Sequence, residues 1–233
     1  MGGHILVVDD EKEIADVLEL YLVNDGYSVH KFYTGMEALV CIENTELDLA
    51  ILDVMLPDMD GFRICRRIRE KGFYPVIMLT ARTADSDKIM GLTIGADDYI
   101  TKPFNPLEVV ARVKTQLRRY IRYNASATRL TGEQQEYDIR GLVINSATHK
   151  CNLFGEELQL TPIEFSLLWY LCSHQGNVIP SEELFEAVWG EKYYKNNNTV
   201  MAHIGRLREK LREPAGKPRF IKTVWGVGYT IEK

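Results

Sequence analysis

The sequence predicts two domains of different class: a doubly wound α/β domain with a five-stranded parallel sheet, then a smaller α+β winged helix-turn-helix domain. Three observations predict them. Over the first half, short apolar runs alternate with segments of helical periodicity, the pattern of parallel βαβ units. Near Arg122 that periodicity stops and a polar, aperiodic stretch begins. Beyond it, three helical segments precede two strand-like pieces that flank Trp225-Gly226-Val227. A chain of 233 residues is too long for one average domain and comfortable as two.

In the first domain, His4 to Val8 is an apolar run that stops at Asp9 and Asp10. Ile14, Val17, Leu18, Tyr21 and Leu22 then recur at helical spacing. Val29 to Tyr33, Leu49 to Leu52, Val76 to Leu79 and Tyr99 to Thr101 are the further strands, with helices near 35 to 43, 61 to 70 and 86 to 94 between them. A last helix starts at Asn105, with Pro106 in its first position and Glu108 placed for a capping box. This domain covers residues 1 to 122, and Tyr123 to Glu136 reads as a linker. As a flexible coil the linker would span roughly 20 Å.

The second domain, 137 to 233, opens with short strands up to about residue 160. Thr161 as N-cap, Pro162 at N1 and Glu164 at N3 signal a helix that ends by Gly176. A second helix begins at Ser181 and a third runs from about Asn198 to Leu211. Phe220 to Val224 and Gly228 to Glu232 form the closing hairpin.

Composition sets bounds on function. With 45% apolar and 26% charged residues the chain can form two cores. No apolar run approaches the roughly 18 residues of a membrane span, and no signal peptide is visible, so a cytoplasmic protein is expected. The four cysteines show no CxxC spacing and read as reduced packing residues. The net charge of −5 belongs to residues 1 to 122, which hold 20 acidic and 15 basic side chains; residues 123 to 233 hold 13 of each. Between 192 and 222, nine basic residues face only Glu209 and Glu213. Polyanion binding depends on such local clusters rather than on the whole-chain charge.

Ligands of open α/β sheets bind outside the carboxyl ends of the strands. Asp9 and Asp10 follow the first strand, Asp53 the third, Thr80 the fourth and Lys102 the fifth. Three carboxylates on one rim repel each other and resist joint ionisation. A bound Mg²⁺, which takes oxygen ligands, relieves that repulsion. Asp53 can then attack a phosphoryl donor as a carboxylate nucleophile. Lys102 offers positive charge to the transferring oxygens, and the Thr80 hydroxyl a hydrogen bond. Each acid alone would suit a loop or a helix N-cap; the ordered set at four strand ends is what points to chemistry. An aspartate-nucleophile phosphatase is the competing enzyme reading. It would carry its nucleophile in a D-x-D motif after the first strand, whereas this chain has an adjacent pair there and Asp53 after the third.

The segments VVDDE (7 to 11), LDVMLPDMDG (52 to 61), MLTA (78 to 81) and GADDYITKPF (95 to 104) resemble a response-regulator receiver domain, which has a flavodoxin-like fold. The second half resembles the OmpR/PhoB winged-helix branch. The resemblance implies a phosphoacceptor transcription factor rather than an enzyme, with Asp53 as the acceptor. It implies that Asp10 and Asp53 hold Mg²⁺ with the backbone carbonyl of Met55, and that Asp9 acts through the metal's water shell. Thr80 and Tyr99 become a switch pair, Tyr99 moving inward from a solvent-exposed rotamer. Lys102 contacts the phosphoryl group, and the bond before Pro103 is cis. A homodimer on phosphorylation is implied, through the face formed by the helix near 86 to 94, the fifth strand and the helix from Asn105. There Lys88 would meet Glu108, Asp97 would meet Arg112, and Asp98 would meet Arg119. Stretches such as IADVLELYL and IKTVWGVGYTIEK look closest to VanR-type regulators of glycopeptide resistance. That likeness implies a VanS-like sensor histidine kinase as phosphodonor and a resistance operon as target.

On the third helix of the second domain, Val200, Ile204, Leu207 and Leu211 recur at core-facing spacing. Met201, Ala202, Gly205, Arg206, Arg208 and Arg212 are then expected outside. Such a face suits the major groove of double-stranded promoter DNA, where Arg forks onto guanine and small apolar groups meet thymine methyls. Thr199, His203, Arg208, Lys210 and, in the wing, Tyr229 are candidates for phosphates. Trp189 and Asn198 complete the candidate set on either side of the loop 191 to 197, which the resemblance assigns to contact with DNA or RNA polymerase. Gly205 and Trp225 stand where the branch often carries Arg, and Trp225 is expected to pack against the hairpin. Two directly repeated half-sites about one helical turn apart are the expected target. A receiver coupled to an RNA- or protein-binding output is the alternative.

Overall fold

The computed structural model describes residues 2–81, 95–125, 135–190, 199–214 and 216–232, with 121–125 described by backbone alone. Two compact units divide the chain, Met1–Arg118 and Arg119–Lys233.

The first unit contains β1 (His4–Val8), α1 (Lys12–Asn24), β2 (Ser28–Phe32), α2 (Gly35–Asn44), β3 (Leu49–Asp53), α3 (Gly61–Lys71), β4 (Val76–Thr80), β5 (Asp98–Thr101) and the start of α4 (Pro106–Ala125). Its strands are all parallel in the order β2-β1-β3-β4-β5. The central strands are runs of buried Val, Ile and Leu, as a sheet covered on both faces requires. Alternation splits their side chains. Leu6, Val8, Ala50, Leu52 and Met78 pack with α2 and α3, while Ile5, Val7, Ile51, Ile77 and Leu79 pack with α1 and α4. The chain leaves β1 outward to β2 and returns across it to β3, so the switch point of the strand order lies between β1 and β3. Asp9 and Asp53 sit on either side of it. The helix expected near 86 to 94 lies outside the described residues, as does most of the expected linker. α4 continues to Ala125, three residues beyond its expected end at Arg122.

The second unit opens with an antiparallel meander, β6 (Glu136–Ile139), β7 (Leu142–Asn145), β8 (Lys150–Leu153) and β9 (Glu156–Glu157). Then come α5 (Pro162–Ser173), β10 (Ile179–Pro180), α6 (Ser181–Trp189), α7 (Thr199–Lys210) and the hairpin β11 (Ile221–Val224) and β12 (Gly228–Ile231). The expected capping box is present: Thr161 accepts from the Glu164 amide at 3.3 Å, and Glu164 accepts from the Thr161 amide at 2.8 Å. β10 adds an unexpected third strand to the hairpin, in the order β10-β12-β11. Two residues with no alternation leave no periodic signal to read. Leu168, Leu184, Ile204, Leu207 and Ile231 lie in one core that joins the three helices to the hairpin. All four cysteines are buried thiols.

One close approach ties the first fold to its carboxyl edge. A Cβ on Gly61 would lie 2.0 Å from the Asp53 carbonyl oxygen. Gly61→Ala should therefore cost about 1–3 kcal/mol of unfolding free energy, the usual range for overpacking. Urea denaturation measures it, and an unchanged midpoint would contradict the close packing.

Candidate functional site

The carboxyl edge of the parallel sheet gathers its acids by chain direction alone. β1 delivers Asp9, β3 ends on Asp53 and β4 on Thr80, and all three are buried. Asp10 is exposed beside them. Carboxylate oxygens of Asp9, Asp10 and Asp53 lie within 4.8 Å of one another. Lys102 follows β5 over a cis peptide bond to Pro103, as the resemblance implies. Its Nζ lies 2.7 Å from Asp53 Oδ2, 2.9 Å from Asp9 Oδ2 and 3.0 Å from Glu11 Oε1. Asp53 Oδ1 accepts from the Met55 amide at 3.0 Å. Met55 also pairs with Asp60 in an isolated antiparallel bridge, which folds the loop after β3.

Burial pushes the Asp9 carboxyl up to about 6; Lys102 pulls it down and Asp53 adds repulsion. Burial disfavours the Lys102 ammonium, but Asp53, Asp9 and Glu11 outweigh it and raise its pKa. Hard oxygen donors at this spacing fit a magnesium ion: the acids need a cation, and their oxygens match its ligand preference.

Two residues of this edge escaped the sequence reading. Glu11 lies within the quoted VVDDE segment, but only the fold shows it reaching Lys102. Asp58 accepts from the amides of Gly35 at 2.9 Å and Met36 at 2.8 Å, fastening the Asp53 loop to the N-terminus of α2.

The expected switch and dimer residues divide. Tyr99, on β5, already has its hydroxyl buried, so the solvent-exposed rotamer expected for it is not observed. Asp97 is 1% exposed and does not belong to an outer face. It accepts from Arg69 at 2.5 Å and from the Val76 amide at 2.8 Å. The physical reason is burial: a carboxylate this desolvated needs a charged partner, and α3 supplies one. Asp98 is buried as well, at 4% exposed, and Arg112 pairs with it at 2.9 Å and with Glu108 at 3.0 Å within the same chain. Arg119 is half-buried on α4, and Lys88 lies outside the described residues.

In the second unit the core-facing stripe of α7 is as expected, with Val200, Ile204, Leu207 and Leu211 buried. The opposite side differs. Arg206, expected to read bases, is 5% exposed. Its Nη2 lies 2.6 Å from His203 Nδ1, and its Nη1 lies 3.7 Å from Glu164 Oε1. Lys210, expected on phosphate, donates to Glu164 Oε2 at 2.6 Å and to the Gln159 carbonyl at 2.8 Å. Thr199, Ala202 and His203 are buried too. Trp189 is 1% exposed, stacked on Phe185 and edge-on to His203 at 5.3 Å, so it has no surface for DNA. Tyr229, on strand β12 of the wing, packs into the core beneath Arg208 rather than outward. These polar residues turn inward because α7 packs on two sides, which a single apolar stripe does not reveal. Asn198 and the loop 191 to 197 lie outside the described residues.

What α7 does expose is Met201 (46%), Gly205, Glu209 and the edges of Arg208 and Lys210. Arg208 donates to the Ile221 carbonyl at 2.7 Å and to Thr223 Oγ1 at 2.8 Å, locking helix to hairpin. An open cleft of about 770 Å³ between them is lined by Arg208, Lys217, Lys222 and Trp225 together with the acids Glu209 and Glu213. Trp225 is 90% exposed, which overturns the expectation that it packs against the hairpin. It stands at the turn between β11 and β12, on the open side of that cleft.

Comparison with known proteins agrees with both units. Residues 5–114 match the response regulator receiver domain, and residues 155–231 match the C-terminal domain of transcriptional regulatory proteins. The chain is 62% identical to the regulatory protein VanRc of Enterococcus gallinarum and 56% identical to the regulatory protein VanR of Enterococcus faecium, each over the full length of both chains. Among solved structures it resembles the OmpR/PhoB homologue DrrB of Thermotoga maritima, 35% identical with a TM-score of 0.52, and a RitR variant, 30% identical with a TM-score of 0.74, again over whole chains. With a receiver fold carrying its acids at the strand ends and a winged-helix unit behind it, the chain belongs to the two-component response regulators of the OmpR/PhoB type, which join a receiver to a DNA-binding domain.

Proposed function

We propose that Asp53 accepts a phosphoryl group from a VanS-like sensor histidine kinase, and that the modified chain regulates a promoter, that of a glycopeptide-resistance operon. The observation that carries the first step is the Lys102 ammonium 2.7 Å from Asp53 at the carboxyl edge of the sheet. Asp53 Oδ2 attacks phosphorus, the new O–P bond forms, and the N–P bond to the donor imidazole breaks, the imidazole taking up a proton. Lys102 remains with the transferred oxygens, and Thr80 turns its hydroxyl toward them. Asp9, Asp10, Asp53 and the Met55 carbonyl would hold Mg²⁺, which supplies neutralising charge when bound. Phosphorylation adds about −1.5 to −2 charges, and Thr80 and Tyr99 respond as the switch.

The modified cytoplasmic protein dimerises through β5, α4 and the segment holding Lys88, where Glu108, Asp98, Arg112 and Arg119 stand. On DNA, the exposed stripe of α7 faces the major groove at two directly repeated half-sites, with the loop 191 to 197 available to RNA polymerase. Identity to VanR-named proteins over the whole chain supports the operon assignment.

Three measurements test this reading. Asp53→Asn keeps an acceptor for the Met55 amide, so the fold should survive while acid-labile phosphate incorporation falls to background; labelled phosphate retained by the variant would overturn the acceptor assignment. Second, the Asp9 carboxyl holds its proton up to about pH 6, so calorimetric Mg²⁺ affinity should rise as pH climbs through that value and then level off. The same raised pKa means the native chain binds that proton more tightly than the unfolded one. Without metal, Asp9 therefore lowers stability as pH rises from its ordinary value to about 6. Third, Trp225 is 90% exposed and Trp189 is 1% exposed, so duplex DNA bound at the cleft should quench Trp225 emission. Trp225→Phe should remove that quenching, and quenching that persists would place the DNA elsewhere.

A further inference from the structure

Glu164 is fully buried at the first turn of α5, yet it is ionised: burial pushes its carboxyl up, and Arg206 and Lys210 outweigh that and hold it below the ordinary value. Oε2 accepts from Lys210 at 2.6 Å and from the Thr161 amide at 2.8 Å, while Oε1 faces Arg206 at 3.7 Å. Both cations come from α7. At about 100° per residue, Thr199, His203, Arg206 and Lys210 fall on one polar stripe. Its centre lies about a quarter-turn from that of the apolar stripe of Val200, Ile204, Leu207 and Leu211.

Apolar contact is non-directional, so the apolar stripe alone leaves the helix latitude to roll about its axis. Charge-assisted hydrogen bonds are directional. A roll that parted Glu164 from its cations would strand buried charge, which is strongly unfavourable. The remaining arc, Met201, Gly205, Arg208 and Glu209, is then the one presented outward.

We propose that Glu164, though out of reach of any nucleic acid, is a positioning residue for DNA recognition: it sets the roll of α7 through Lys210 and Arg206. The proposal rests on the reading that α7 is the helix presented to DNA. It also makes Lys210 an internal strut rather than a phosphate contact.

The test uses the full chain and two duplexes: one enriched from a random pool by the unaltered chain, and a scrambled duplex of equal length. The readout is the ratio of their dissociation constants and the salt dependence of each. Lys210→Gln removes one end of the strut at a position whose side chain is 32% exposed, so the fold should tolerate it. The ratio should fall about tenfold, the scale of one lost base-pair preference, with affinity and salt slope for the scrambled duplex unchanged. Lys210→Arg, which keeps the pair, should restore the ratio. Glu164→Gln should lower the ratio as Lys210→Gln does; if it fails to fold, the Lys210 variants carry the test. Equal weakening on both duplexes with a salt slope shallower by about 0.9 would make Lys210 a phosphate contact and overturn the proposal. An unchanged ratio in folded variants overturns it as well. Failure of the unaltered chain to enrich any duplex would sink the DNA reading itself, and the proposal with it.

Discussion

Lys102 reaches across the carboxyl edge of the parallel sheet to Asp53, Asp9 and Glu11, and the arrangement of that edge depends on this contact. Parallel strands all end on the same side, so a fold that places an acid after each of two adjacent strands brings like charges together. Two carboxylates 4 Å apart repel by about 4 kcal/mol at an effective dielectric near 20. An ammonium among them turns repulsion into attraction and lets the acids stay close. Asp9 shows the residual strain in its raised pKa, because burial there outweighs the help from Lys102. The same crowding that costs stability suits the acids to a divalent cation, while the Lys102 ammonium is the group suited to anionic oxygens.

The winged-helix unit solves the mirror-image problem. There a single buried carboxylate, Glu164, stands between two cations, and the charge balance is internal to the protein. In both units an ionised group lies where water cannot solvate it and is held by partners from distant parts of the chain: 49 residues separate Lys102 from Asp53, and 46 separate Lys210 from Glu164. Such contacts demand one relative placement of the elements that carry them. Apolar packing alone, tolerant of small slips, does not.

The receiver edge was legible because topology makes it so. Once strands are assigned, parallel order sends Asp9, Asp53, Thr80 and Lys102 to the same rim whatever the details of packing. Thr161, Pro162 and Glu164 announced α5 because capping chemistry is local. The DNA face was less legible. Arg206, Lys210, Trp189 and Tyr229 are residue types that bind nucleic acid, but composition cannot say which side of a helix or strand is covered. Here a second packing seam buries Arg206, Trp189 and Tyr229, and Glu164 ties down the half-exposed Lys210. Asp97 failed for the same reason: a charged side chain beside a strand reads as exposed until an Arg from another helix is found over it. Glu164, read only as a cap, carries a second duty that depends on a helix some 40 residues later.

Internal pairing also changes what the basic cluster means. By sequence, residues 192 to 222 offer nine cations against two acids. In the fold, Arg206 and Lys210 face Glu164, Arg212 pairs with Glu156 at 2.6 Å, and Lys222 pairs with Glu232 at 2.6 Å. Arg208 spends donors on the Ile221 carbonyl and Thr223. The exposed pairs with Glu156 and Glu232 are weak and can yield to phosphate; the buried ones cannot. The electrostatic attraction for DNA is therefore smaller than the charge count suggests. A single module with weak non-specific attraction depends on shape and base contacts for its hold, and joining two modules raises their effective concentration at paired sites. Control by dimerisation, as proposed above, would suit such a module better than a strongly basic one, which would cling to any duplex as a monomer.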